Sequence, residues 1–210
     1  MPVHALLRIV PGALSGAPAP AWVVARLGPA PWVVVRREGM RAGMIAVGVR
    51  GGTRAERFAA WLDPGAVLEC VTPLELAARR GWKDHPRRAQ PAALACLEEV
   101  ESILQRHGFG RSWGPTGSVG FELATALPTV TAWSDLDLIV RPAHRLAPAA
   151  ATALWTELSQ LAVRTDVLLE TAQGAVALAE YARAARPFVV RTPAGPRLSD
   201  DPWASEATAA

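Results

Sequence analysis

The run "SDLDLIVR" (134–141) restricts this chain more than any other stretch of it. On a strand, side chains two apart share a face. Leu136, Leu138 and Val140 therefore point one way, and Asp135, Asp137 and Arg141 the other. One face must lie on an apolar core, while the other must stay open to water, an ion or a charged partner. The two carboxylates stand roughly 6–7 Å apart along the strand. Buried without a partner, they would cost several kcal/mol or take up a proton. A divalent cation removes both penalties, and two carboxylates completed by water and phosphate oxygens describe a magnesium site. A solvated edge strand of alternating Asp and Leu would show the same letters, so the flanking segments decide what the pair is for.

Those segments switch between helical and strand periodicity. "PAALACLEEVESILQRHGF" (91–109) places apolar residues at 94, 97, 100, 103 and 104, a helical spacing that Gly108 ends. After the acidic strand, 146–162 reads as a helix, 163–170 as a strand, 171–185 as a further helix and 187–200 as a hairpin around Pro193, Ala194 and Gly195. The tail from Pro202 is expected to fray. Upstream, "AWVVARL" (21–27), "PWVVVRR" (31–37) and "MIAVGVRG" (44–51) are β-branched runs bounded by Gly and Pro, which is how strands look. Thr53 with Glu56, and Thr72 with Glu75, are capping boxes that predict helices, the second running from Pro73 to a stop at Gly81. The polar, proline-containing stretch 82–90 is the expected boundary. The fold class is thus α+β: a smaller α/β N-terminal domain over 1–88, then a domain over 89–210 with helices packed on a small mixed sheet.

Charge separates the same two parts. Residues 1–88 carry 13 Lys+Arg against 6 Asp+Glu, residues 89–210 carry 9 against 13, and Lys83 is the one lysine among the 22 basic residues. Arginine suits bidentate contact with phosphate or carboxylate, so the first part is expected to meet something anionic. No apolar run reaches the roughly 18 residues of a membrane span, and Arg8 and Pro11 break the only leader-like stretch. A cytoplasmic protein without a membrane partner is expected. Cys70 and Cys96 have neither metal-ligand spacing nor a nearby cysteine and read as buried free thiols.

The turn "GPTGS" (114–118) precedes the acidic strand. Glycines let the backbone approach a phosphate closely, and Ser118 adds a hydroxyl for a phosphate oxygen. No lysine follows the glycines, so this is not a Walker loop. Ser118 has Thr116 where the elbow's first glycine belongs, and it lacks a triad order with His107 or His144. Asp166, alone in "VRTDVLLE", becomes a third metal ligand or a base if its strand lies beside the first; Glu170, at the strand end, reads as surface. Trp113 and Trp133 flank the motif. A tryptophan can stack on a base, but core is the expected place for both.

Gly-Ser, an Asp-x-Asp strand and a third carboxylate on a later strand resemble the nucleotidyltransferase superfamily. Sixteen residues separate Ser118 from Asp135, more than is usual there. The longer string "WGPTGSVGFELATALP…SDLDLIVR", with "PWVVVRR", "AVGVRGGTRAERFAAWL" and "VTPLEL", resembles the phosphoribosyl-dephospho-CoA transferases, the holo-acyl-carrier-protein synthases of malonate decarboxylase. This resemblance spans about residues 20–203; Ala126 stands where that family is expected to have glycine. It implies a nucleotidyltransferase-like C-terminal domain. It further implies transfer of the phosphoribosyl-dephospho-CoA group from 2'-(5''-triphosphoribosyl)-3'-dephospho-CoA to a serine of the apo acyl carrier protein subunit of malonate decarboxylase, with release of diphosphate. Asp135 and Asp137 would hold Mg2+ (or Mn2+), Asp166 would ligate an ion or help take the serine proton, and Gly117 and Ser118 would bind the outer phosphates. Arg36, Arg37, Arg50, Arg54 and Arg57 are candidates for the donor's phosphates or an acidic carrier protein.

Two other classes compete. Another metal-dependent nucleotidyltransferase, acting on a small molecule or protein, would share the carboxylates but would not need the basic first part. A nucleic-acid module is disfavoured, because the arginines are not interleaved with the aromatics that single-strand binding favours, and the part with the acidic strand is itself acidic.

Overall fold

A computed structural model of the chain describes residues 1–204 apart from Met40, Arg54 and Ala185. It divides into two compact units, Met1–Thr72 and Pro73–Ala210.

Among the described residues, the first unit is a six-stranded antiparallel sheet with one short α-helix and a single 3-10 turn at Pro64–Ala66. Along the chain run β1 (Leu6–Ile9), β2 (Leu14–Ser15), α1 (Ala21–Leu27), β3 (Trp32–Val35), β4 (Ile45–Arg50), β5 (Arg57–Leu62) and β6 (Val67–Val71). The sheet order is β2-β5-β4-β3-β1-β6. Leu7, Ile9, Val33, Val35, Ile45, Val47, Val49, Ala60 and Leu62 alternate along their strands into one core with Val23 of α1. Two expectations fail here. "AWVVARL" is helical: Val23 is buried with Trp22 and Leu27 beside it, while Val24 is 64% exposed, a helical rather than an alternating pattern. Six apolar residues in a run of seven fit either period, and Pro20 at the N-cap position starts the helix. The Thr53–Glu56 box does not open a helix but closes the β4–β5 hairpin. Glu56 accepts from the Thr53 amide at 3.0 Å, and the Gly51 amide donates to the Glu56 carbonyl at 2.9 Å. Phe58, Ala60 and Leu62 then alternate inward as β5.

The second unit comprises α2 (Pro73–Arg79), α3 (Ala92–Ala95), α4 (Leu97–Arg106), β7 (Trp113–Pro115), α5 (Gly117–Thr125), β8 (Leu136–Val140), α6 (Pro148–Leu158), β9 (Thr165–Thr171), β10 (Gly174–Ala177), α7 (Leu178–Ala182), β11 (Phe188–Thr192) and β12 (Gly195–Ser199). Its sheet order is β12-β11-β10-β9-β8-β7. Only β8 and β9 pair in parallel among the described residues, with α6 lying between them along the chain, so the sheet is mixed. The predicted helical stripe is buried as expected: Leu94, Leu97, Val100, Ile103 and Leu104 pack with Leu136, Leu138 and Val140, Val167 and Leu169, and Leu154 and Leu158. Cys96 interrupts that stripe between α3 and α4, and burial pushes its thiol up to about 11.

The boundary falls at 72/73, not at 88/89. Residues 82–90 look like a linker because they are polar, yet they belong to the second unit. Trp82 is buried with its ring 5.8 Å from Trp113, and Arg87 reaches Glu122. Gly114 explains how α2 joins this unit: a Cβ there would lie 2.0 Å from the Pro73 carbonyl oxygen. Counted by the observed units, Lys+Arg against Asp+Glu is 8 to 4 in the first and 14 to 15 in the second. Much of the apparent charge contrast therefore came from residues 73–88. The helix expected over 171–185 is a strand, β10, followed by the short α7. The tail is partly packed: Pro202 is buried and the Trp203 ring lies 6.1 Å from that of Tyr181, while 205–210 lie outside the described residues.

Candidate active site

Asp137 and Asp166 are direct register partners on the parallel strands β8 and β9. Neighbouring strands run about 4.8 Å apart, and in-register residues of parallel strands share a face. The face is the one opposite Leu136, Leu138, Val140, Val167 and Leu169, all of which are buried in the core. Asp137 is half-buried and Asp166 exposed. Asp135 lies just before β8, also half-buried.

The glycine turn is built against Asp137. β7 runs antiparallel to β8, and the Thr116 amide donates to the Asp137 carbonyl at 2.8 Å. The next residue, Gly117, has φ +58 and opens α5. A Cβ at 117 would lie 2.0 Å from Oδ2 of Asp137, so any side chain there would displace the carboxylate. Glycine is required twice over at this position, by conformation and by space.

A buried acid that sequence reasoning did not single out ties the rest together. Glu122, on α5, is 0% exposed. Its Oε2 accepts from the amides of Thr129 and Val130, each at 2.7 Å. Arg87 Nη1 donates to both carboxylate oxygens at 2.9 and 3.0 Å, and its Nη2 to the Val130 carbonyl at 2.8 Å. Thr129 Oγ1 donates to the Ser118 carbonyl at 3.0 Å. These bonds account for the sixteen residues between Ser118 and Asp135: most of α5, then a loop folded back onto it. A Glu in an apolar helical run, with an Arg in a polar stretch upstream, was the available signal.

Glu170 is on β9, four residues beyond Asp166 and so roughly 13 Å along the strand. Arg164 Nη2 lies 3.2 Å from an Asp166 oxygen. Trp113 is buried as expected, but Trp133 is 87% exposed. In the first unit, Arg50 and Arg57 face each other across the β4–β5 hairpin and are exposed. Arg36 packs over Gly48 and pairs with Glu38 at 2.5 Å; Arg37 is half-buried. Arg54 lies outside the described residues.

Among the described residues no three His, Cys, Asp or Glu cluster closely enough to hold a metal by themselves. Magnesium commonly takes one or two carboxylates and completes its shell with water and substrate phosphates. The donors present, hard carboxylate oxygens on one open face beside a backbone turn, fit that ion.

Comparison with known proteins decides the family. Residues 75–202 match the model of the phosphoribosyl-dephospho-CoA transferase MdcG C-terminal domain, and residues 2–73 that of its N-terminal domain. The chain belongs to the phosphoribosyl-dephospho-CoA transferase family. It is therefore an enzyme, a transferase. The curated phosphoribosyl-dephospho-CoA transferase of Pseudomonas putida is 41% identical over 203 residues, covering 96% of this chain and 94% of that protein. That of Azotobacter vinelandii is 39% identical over 188 residues (89% and 87%), and that of Klebsiella pneumoniae strain 342 is 37% identical over 185 (88% and 87%). No solved structure matches. The two family domains meet between 73 and 75, beside the observed boundary. No described helix is long and apolar enough to cross a membrane.

Proposed function

We propose that the chain loads the apo acyl carrier protein subunit of malonate decarboxylase. The donor is 2'-(5''-triphosphoribosyl)-3'-dephospho-CoA. The acceptor serine oxygen attacks the phosphorus nearest the ribose, forming a phosphodiester. The bond from that phosphorus to the bridging oxygen breaks, diphosphate leaves, and the serine proton passes to a base.

The observation that carries the reading is the contact between Gly117 and the Asp137 carboxylate, with Asp166 in register beside it. A turn open enough to bind phosphate, and carboxylates able to hold Mg2+ (or Mn2+), thereby form two walls of one site. In this reading Asp135 and Asp137 hold the metal, which when bound neutralises the phosphate charge that builds up as diphosphate leaves. Gly117 and Ser118 receive the outer phosphates through backbone amides and a hydroxyl. Asp166, exposed and on the same face, binds metal or takes the serine proton, with Arg164 beside its carboxylate. Arg50 and Arg57, exposed on one hairpin, contact an anionic partner, either donor phosphates or the carrier protein.

The test is a mass measurement. The protein is incubated with apo carrier protein, donor and Mg2+, and the carrier is expected to gain the prosthetic group. An unchanged carrier mass, together with transfer from ATP to another acceptor, would replace this reading with a different nucleotidyl transfer.

A further inference from the structure

Trp133 is the only exposed one of the chain's eight tryptophans, all of which lie among the described residues. It is held in that position by its neighbours. Glu122 and Arg87 fix Thr129 and Val130 on one side, with Val130 2% exposed. On the other side Thr131 and Ser134 close a tight turn. The Thr131 amide donates to Ser134 Oγ at 3.0 Å, the Ser134 amide to the Thr131 carbonyl at 3.2 Å, and the Trp133 amide to Thr131 Oγ1 at 3.3 Å. Asp135 follows two residues later. The indole thus stands in water on a backbone already ordered, two residues before Asp135 in the chain. A backbone ordered in advance loses little further freedom when a ligand covers the ring it carries.

The surroundings identify the chemistry of that ligand. Thr131 and Ala132 are small and exposed, Ser134 is small and half-buried, and no other exposed large hydrophobic residue lies between 126 and 145. A protein interface needs a patch of roughly 800 Å² per partner, which one isolated ring does not supply. A single planar heterocycle is matched by a single planar ring, and base–indole stacking needs no other apolar contact. We infer that Trp133 is the stacking platform for the adenine base of the donor, an inference that rests on the donor proposed above. The reacting phosphate lies at the carboxylates, and the base lies one ribosyl-adenosine length away, on the loop that leads into them.

The test is titration calorimetry of wild type, Trp133→Ala and Trp133→Phe with the donor, alongside steady-state loading of the carrier. Trp133→Ala is expected to weaken donor binding about 5- to 150-fold, the range for one lost base stack. Trp133→Phe should restore most of the affinity, and the KM for the carrier should stay within about 2-fold of wild type. Equal donor affinity in wild type and Trp133→Ala overturns the stack alone, as does a changed carrier KM with unchanged donor affinity. A wild type that does not bind the donor overturns the functional reading instead. ATP is then titrated into both proteins, and equal affinities overturn the stack as well.

Discussion

Gly117→Ala separates the site's architecture from its stability. An L residue at φ +58 costs about 1–2 kcal/mol, which for a chain of this size lowers Tm by about 2–8 °C. That strain alone would leave catalysis untouched. The steric effect is separate. The new Cβ would sit 2.0 Å from Asp137 Oδ2, and real Cβ contacts essentially never fall below 3.0 Å, so the carboxylate must move by about 1 Å or more. Misplacing a catalytic group by that distance costs on the order of 100-fold in rate. Gly108→Ala supplies the control: φ is +82 there, but nothing lies within 4 Å of its Cβ. Both variants should melt a few degrees below wild type. Only Gly117→Ala should lose carrier loading, measured as an initial rate by mass spectrometry at saturating donor, while Gly108→Ala keeps the wild-type rate. Loading by Gly117→Ala within about 3-fold of Gly108→Ala would refute the claim that the turn and Asp137 form one site, since 1 Å of displacement would then have cost nothing.

Asp135→Ala and Asp137→Ala should each abolish loading, because each removes a metal ligand; near-normal metal-dependent activity in either sinks the metal-site assignment. Glu122→Ala should destabilise the second unit by about 1–3 kcal/mol, the cost of leaving buried amides without their acceptor, read as a lower midpoint in urea; an unchanged midpoint would show that the Arg87–Glu122 network does not hold the loop. Ala126 caps α5 at φ 58, so Ala126→Gly should relieve about 1 kcal/mol of left-handed strain and raise Tm by a few degrees without changing activity; a lowered Tm would mean that strain there is negligible.

Where one strand carried two independent signals, the sequence was legible. At 136–140 the alternation of leucine and acid and the run of β-branched neighbours agree, and β8 lies where it is expected, with its apolar face in the core. At 94–104 five positions of helical phase leave no room for another period, and all five are buried. Short or chemically mixed runs misled for specific reasons. Residues 21–27 are too few to distinguish periods 2 and 3.6, and 171–185 holds a strand and a helix too short to show either. Thr53 and Glu56 do form half of a capping box, since the carboxylate takes the Thr53 amide, but the same bond closes a hairpin turn equally well. Polarity at 82–90 does not mark a boundary, because Arg87 is polar in order to satisfy a buried acid of the second unit.

Glu122 shows why that part of the site escaped notice. A fully buried carboxylate is costly unless it is paired and hydrogen-bonded, and here two amides and a guanidinium bond it. None of these partners is within six residues of Glu122 in sequence, so no local pattern announces the network. Its effect is to fix the one stretch whose length is unusual. The loop is anchored at Thr129 and Val130, returns to the Ser118 carbonyl through Thr129, and turns at Thr131–Ser134 into Asp135. The distance along the chain between the phosphate turn and the acidic strand is therefore not slack. It is a folded strut whose one end sets Ser118 and whose other end sets Asp135, so a perturbation at Glu122 should reach both walls of the site at once.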